Sequence, residues 1–250
     1  MTAARLAVLL VAIASWPVSA VLRVPVAGAQ DPPPAVAAPN DPLFRYQWNL
    51  RAIQIPAAWA VSRGAGATVA VLDTGVAYRN RAPYRRAPDL AGTRFVAGWD
   101  FVDDDPYPDD VAPRDGRRSH GTLMAGLIAQ TTDNGIGGAG VAPAAEIMPV
   151  RVLEPDLTAS ASAIARGLRF AADNGADVVN LSIAGPAPTR AVTEAVAYAA
   201  AKGVTIVAAA GNEGRPSVGW PAAHPSVIAV GAIARDGTRA VYSNYGTALD

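Results

Sequence analysis

Three strings carry residue types that perform acyl-transfer chemistry when they meet. They are Val-Ala-Val-Leu-Asp-Thr-Gly-Val (69–76), Ser-His-Gly-Thr-Leu-Met-Ala-Gly (119–126) and Ala-Ala-Ala-Gly-Asn-Glu-Gly (208–214). Together they supply a carboxylate, an imidazole and a side-chain amide. A carboxylate that orients an imidazole makes a general base for a hydroxyl nucleophile, and a fixed amide donor stabilises the oxyanion that follows. Taken alone, Asp73 and Asn212 are ordinary turn residues, and His120 is an ordinary first-turn residue of a helix. There the helix dipole disfavours imidazolium and favours a neutral base, whereas a neighbouring carboxylate pushes the other way and fixes the tautomer. The second histidine, His224, lies between prolines in Trp220-Pro221-Ala222-Ala223-His224-Pro225 and reads as a loop residue without a catalytic role.

The elements that must position these groups follow from the hydrophobic pattern. Residues 67–72 form a continuous small-apolar run, the signature of a strand buried on both faces. Further strands are expected at 94–97, 146–153, 177–181, 204–209 and 227–230. Helices are expected at 57–61, 120–130, 159–174 (closed by Gly175) and 189–202 (closed by Gly203). Strands alternating with helices predict an α/β fold of three layers, a mostly parallel sheet with helices on both faces. Ligands in such sheets bind beyond the carboxyl ends of the strands. Asp73, Asn180-Leu181-Ser182 and Gly211-Asn212 all fall at such ends, which argues for one shared site.

In full, the strings resemble the subtilisin-like serine proteases. Asp-Thr-Gly matches the aspartate motif and His-Gly-Thr-x-x-Ala-Gly the histidine motif. Gly-Val-Ala-Pro (140–143), Asn180-Leu181-Ser182, Ala-Ala-Gly-Asn (209–212) and Pro-Ser-Val-Ile-Ala-Val-Gly-Ala (225–232) match further segments in family order. The resemblance covers roughly residues 41–250. It implies that Asp73 orients His120, that His120 is the general base and that Asn212 donates to the oxyanion. It also implies that Ser182, Ile183, Ala184, Gly185 and Gly211 flank an extended peptide, with Gly219 at the base of the side-chain pocket. The family usually has glycine where this chain has Ala184. The family's Gly-Thr-Ser-Met-Ala segment is not among the 250 residues, so the domain is expected to be incomplete at its C-terminus. Ser243 lies in the stretch that precedes that segment and is rejected as a substitute nucleophile.

The string 99–110 concentrates six carboxylates. Such crowding is relieved by solvent or by a hard cation, and oxygen ligands suit calcium. Its resemblance to the calcium loop of thermitase-like members implies a site at Asp100, Asp105 and Asp109. A second site is implied at Asp41, Asp89 and Asn134. Calcium would also help a chain that has no cysteine and hence no disulfide.

Composition narrows the rest. Hydrophobic residues make up 51%, enough for a sizeable core, and 21 acidic residues balance 21 basic ones. No basic field points to nucleic acid. Arg5, an apolar run over 6–15 and Val18-Ser19-Ala20 read as a signal peptide over 1–20, with Ala27-Gly28-Ala29 as an alternative cleavage site. The other reading is a buried or membrane-anchoring helix. Residues 21–40 read as a Pro/Ala-rich linker and 41–250 as the peptidase domain. With this signal, the family resemblance implies a secreted or periplasmic monomer acting on polypeptides, with no membrane attachment once the signal is removed. A non-catalytic, peptide-binding domain of the same fold is the alternative. Gly135-Ile136-Gly137-Gly138-Ala139-Gly140 fits a dinucleotide pattern. It follows a helix and precedes a strand, the reverse of the required context.

Overall fold

The computed structural model describes residues 37–110 and 119–250. The chain divides into units Met1–Pro33 and Pro34–Asp250, and the described residues fall in the second. The signal-segment reading of 1–20 and most of the linker reading lie outside the described residues.

Two short helices, α1 (Trp48–Ala52) and α2 (Ile55–Ala58), precede the first strand, β1 (Thr68–Asp73). Then come β2 (Arg94–Phe95), β3 (Trp99–Asp100), α3 (His120–Ala129), β4 (Glu146–Arg151) and α4 (Ala161–Asp173). The last elements are β5 (Val178–Leu181), α5 (Arg190–Ala201), β6 (Thr205–Ala209) and β7 (Val227–Val230). The strands form one sheet in the order β2-β4-β1-β5-β6-β7, with β3 also pairing with β4. Every ladder is parallel, including Asp73 opposite Arg151 and Asn180 opposite Val207.

Alternation along the strands sorts side chains into two cores. Ala70, Leu72, Met148 and Val150 face α4 and α5, whereas Val69, Val71 and Ile147 face α3 through Ala125 and Ala129. This is the three-layer arrangement expected from the pattern. The α5 residues Val192, Ala195, Val196 and Ala199 are buried at the spacing of one helical stripe. Ser160 and Thr189 cap α4 and α5 by accepting from Ala163 N and Val192 N, an interaction worth about 1 kcal/mol each.

Three local expectations change. The helix expected at 57–61 starts earlier, at Ile55, because Pro56 fits the first turn, where its missing N–H costs nothing. It is preceded by α1, which the sequence reading did not anticipate. Within the acidic string, Trp99–Asp100 is a strand paired with Val150–Arg151, so this segment is partly sheet rather than free loop.

Candidate active site

Asp73 is the last residue of β1 and is fully buried. Its carboxylate accepts from the backbone N–H of Thr74 at 2.8 Å. His120 opens α3, and its Nδ1 lies 2.8 Å from both carboxylate oxygens of Asp73. With Nδ1–H donating, Nε2 is left as the acceptor. The pair is possible because Gly121 lets α3 approach the turn after β1: a Cβ on Gly121 would fall 2.1 Å from the carbonyl oxygen of Gly75. The hydrogen bond to Asp73 raises the His120 pKa. Burial opposes the rise, and the negative charges of Asp73 and Asp110 add to it.

His120 opens onto a cavity of about 190 Å³ lined also by Leu153, Leu157, Ser182, Ile183, Ala184, Gly211, Asn212 and Glu213. The ends of β5 and β6 therefore deliver their residues to one cleft, with Asp73 at the end of β1 directly behind His120, as parallel pairing requires. A second cavity of about 350 Å³ adjoins it, sharing Ala184 and Glu213 and bounded by Gly185, Arg215, Gly219, Trp220 and Asn244 among others. The segments at 184–185 and 219–220 are tied by paired backbone hydrogen bonds between Gly185 and Trp220 at 2.7 and 2.9 Å. A Cβ on Gly219 would approach that of Ala184 to 3.0 Å. All nine residues expected at the catalytic and substrate positions thus lie in or beside this pair of cavities or, for Asp73, directly behind it.

A family profile described as the Subtilase family matches residues 64–250. The chain belongs to the subtilase family of serine proteases. It is 41% identical to thermitase of Thermoactinomyces vulgaris over 85% of this chain and 71% of that protein. It is 40% identical to subtilisin BL of Lederbergia lenta over 81% of this chain and 69% of that protein. A solved protease from Pseudoalteromonas arctica PAMC 21717 superposes with a TM-score of 0.74 at 33% identity, covering 86% of this chain and 71% of that one.

Within this subtilase fold, Asn244 is a cleft residue that sequence reasoning missed. Buried beneath the loop after β6, its side chain donates to Ala210 O at 3.1 Å and to Glu213 at 2.7 Å. It also accepts from the N–H groups of Glu213 and Arg215. Gly211, at φ +107°, passes so close that a Cβ would meet the Asn244 amide at 2.3 Å. Its only sequence signal was an amide in a stretch set aside as upstream of the nucleophile. Ser243 beside it is buried, and its hydroxyl is committed to backbone: it accepts from Ala232 N and donates to Asn244 O.

The two expected metal regions differ. Asp100 and Asp105 are paired through their backbones, N–H to carbonyl at 2.8 and 3.2 Å, and the carboxylates of Asp100 and Asp109 meet different arginines. Asp100 is buried against the guanidinium of Arg151 at 2.7 Å, which also reaches Asp103 at 2.6 Å. Asp109 is buried against Arg79 and Arg81 at 3.1 and 2.8 Å. Asp105 accepts from the N–H of Tyr107. Among the described residues no group of three or more His, Cys, Asp or Glu side chains could hold a metal ion. At two of the three aspartates expected to hold calcium, Asp100 and Asp109, arginine supplies positive charge in the structure.

Asp41, Asp89 and Asn134, in contrast, are brought together. Asp41, buried, accepts from the N–H groups of Asp133 and Asn134 at 2.8 and 3.1 Å. Asn134 donates through its side chain to Asp89 at 2.8 Å, and Asp89 accepts from Gly138 N at 3.1 Å. These carboxylates are held by neutral donors. The oxygen-rich set fits a hard cation.

Proposed function

We propose that the protein is an exported serine endopeptidase of the subtilisin type. The observation that carries this reading is the two-oxygen contact of Asp73 with His120 Nδ1 at 2.8 Å, at the mouth of a cleft that also holds Asn212. In this reading Asp73 fixes the imidazole tautomer. Nε2 of His120 takes the proton of a serine hydroxyl as that oxygen attacks the peptide carbonyl, then delivers it to the departing amine. Asn212, exposed at the end of β6, donates to the oxyanion. The nucleophile would come from sequence outside these 250 residues.

An extended peptide would lie along Ser182–Gly185 and pair with its backbone, the strand-addition mode of recognition. Its side chain before the scissile bond would enter the cavity bounded by Ala184, Gly219 and Glu213. Calcium, when bound at Asp41, Asp89 and Asn134, would cross-brace the N-terminal segment to the turn after α3; it takes no part in the chemistry. No described helix is long and apolar enough to cross a membrane, and the segment at 1–20 supports export of a secreted or periplasmic enzyme; a monomer is part of the proposal.

The test uses the protein expressed from its continuous natural reading frame. Peptide substrates should be cleaved, a serine-directed phosphonate should label the protein, and His120→Ala should lower kcat by several orders of magnitude. Peptide binding with neither turnover nor label would instead make it a non-catalytic, peptide-binding subtilase domain.

A further inference from the structure

Asp110 is a buried carboxylate for which the triad chemistry has no use. It sits behind the Asp73–His120 pair rather than in the cleft. One of its oxygens accepts from the hydroxyl of Thr74 at 3.0 Å. The other accepts from the backbone N–H of Thr122 at 3.1 Å and from the Thr122 hydroxyl. Both threonine protons therefore point at Asp110, which turns both hydroxyl lone pairs outward. Those lone pairs are used: Thr74 Oγ1 accepts from Gly121 N at 2.9 Å, and Thr122 Oγ1 accepts from Ala77 N at 2.9 Å.

The consequence is a cross-brace between the two catalytic segments. Thr74 follows Asp73 on the strand end, and Gly121 and Thr122 follow His120 in the first turn of α3. The Ser119 side chain, at the N-cap position of α3, makes no capping hydrogen bond. Two of the free N–H groups of the first turn are satisfied by tertiary partners instead. The neighbouring Asp109 faces the other way, toward Arg79 and Arg81, so Asp110 has no guanidinium among these contacts.

We infer that Asp110 is a positioning residue for the general base: its ionised carboxylate locks the strand end that carries Asp73 to the helix turn that carries His120, and offsets the helix dipole at the ring. The inference rests on the proposed role of His120. Its closing experiment reads the imidazole directly, so a failed protease assay and a failed brace give different results. Among the described residues, the charged groups around the ring are Asp73 from β1, Asp110 from the preceding segment and Glu213 across the cleft. Leu153, Leu157 and Ser182 to Ala184 supply the neutral walls.

Burial lifts the Asp110 pKa, and the charge of Asp73 lifts it further; the hydroxyl and amide donors hold it down. An amide at this position cannot serve both threonines as acceptor. Asp110→Asn would leave the Thr74 hydroxyl proton without its acceptor and remove the charge.

The test is an NMR titration of the His120 ring and amide exchange at Gly121. In Asp110→Asn the His120 midpoint should move to lower pH. Gly121 exchange should accelerate roughly tenfold, the equivalent of one hydrogen bond. In the active full-length protein the rise of kcat with pH should move to lower pH with it. An unchanged His120 midpoint and unchanged Gly121 exchange in a folded variant overturn the inference. If Asp110→Asn does not fold, Thr74→Val and Thr74→Ser carry the test. The valine variant should speed Gly121 exchange and the serine variant should not; equal behaviour of the two overturns the brace.

Discussion

The acidic segment around Asp100 to Asp109 and the cluster of Asp41, Asp89 and Asn134 make similar demands on paper: crowded oxygens that need positive charge. The folded chain meets them in different ways. In the first region the charge is built in. Arg151 is buried against Asp100, and Arg79 and Arg81 clamp Asp109. In the second region the named partners are backbone N–H groups and one amide. A guanidinium and a calcium ion are alternative solutions to one electrostatic problem, but only the guanidinium travels with the chain. The lesson is that a count of carboxylates marks a need for countercharge and not the identity of the cation.

The largest expected effect comes from removing the built-in cation. Arg151→Ala leaves Asp100 buried without its partner and should cost about 3–5 kcal/mol in denaturant unfolding, independently of calcium. A loss below about 1 kcal/mol would mean that Asp100 has another source of charge, and the contrast between the regions would weaken.

Next is calcium itself. At a calcium concentration about a hundredfold above the dissociation constant, the protein should gain about 2.7 kcal/mol of stability. That gain should vanish in Asp41→Asn and persist in Asp105→Asn. The reverse pattern would exchange the roles of the two regions. Asp109→Asn should destabilise less than Arg151→Ala, because Arg79 and Arg81 are partly exposed and regain water when released. Thermal unfolding of the two variants side by side checks the order.

The smallest effect is pH-dependent and belongs to the cleft. The folded His120 pKa lies above its ordinary value of 6.5, chiefly through the hydrogen bond to Asp73. The protonated pair therefore adds stability that is fully present below that ordinary value and is lost as pH rises through the raised folded value. His120→Gln should flatten this part of the stability–pH curve. A curve unchanged by the substitution would show that the ring contributes no linkage. Catalysis runs the opposite way, since only the neutral imidazole accepts a proton.

Much of this was legible in the chain. The continuous apolar run before Asp73 fixed β1 as a central strand, and alternation of strands with helices fixed the parallel sheet, because each depends on local pattern alone. The convergence of Asp73, Ser182 and Asn212 followed from parallel strand ends, whereas the pairing of His120 with Asp73 was an expectation carried by the family resemblance. Asn244 was not legible, because its partners Ala210, Glu213 and Arg215 belong to a loop that approaches it only in the folded state. Asp110 was counted among six carboxylates without distinction. Nothing in its spacing foretold that two threonines from different segments would turn their hydroxyls toward it.

The sequence by itself determined which residue types stand at strand ends and helix starts, since hydrophobic period and turn chemistry are properties of neighbours along the chain. Only the tertiary structure decided which cation each carboxylate meets. Charge pairing depends on distance in space, and Arg151 reaches Asp100, and Arg79 and Arg81 reach Asp109, only after the sheet and its flanking turns have closed.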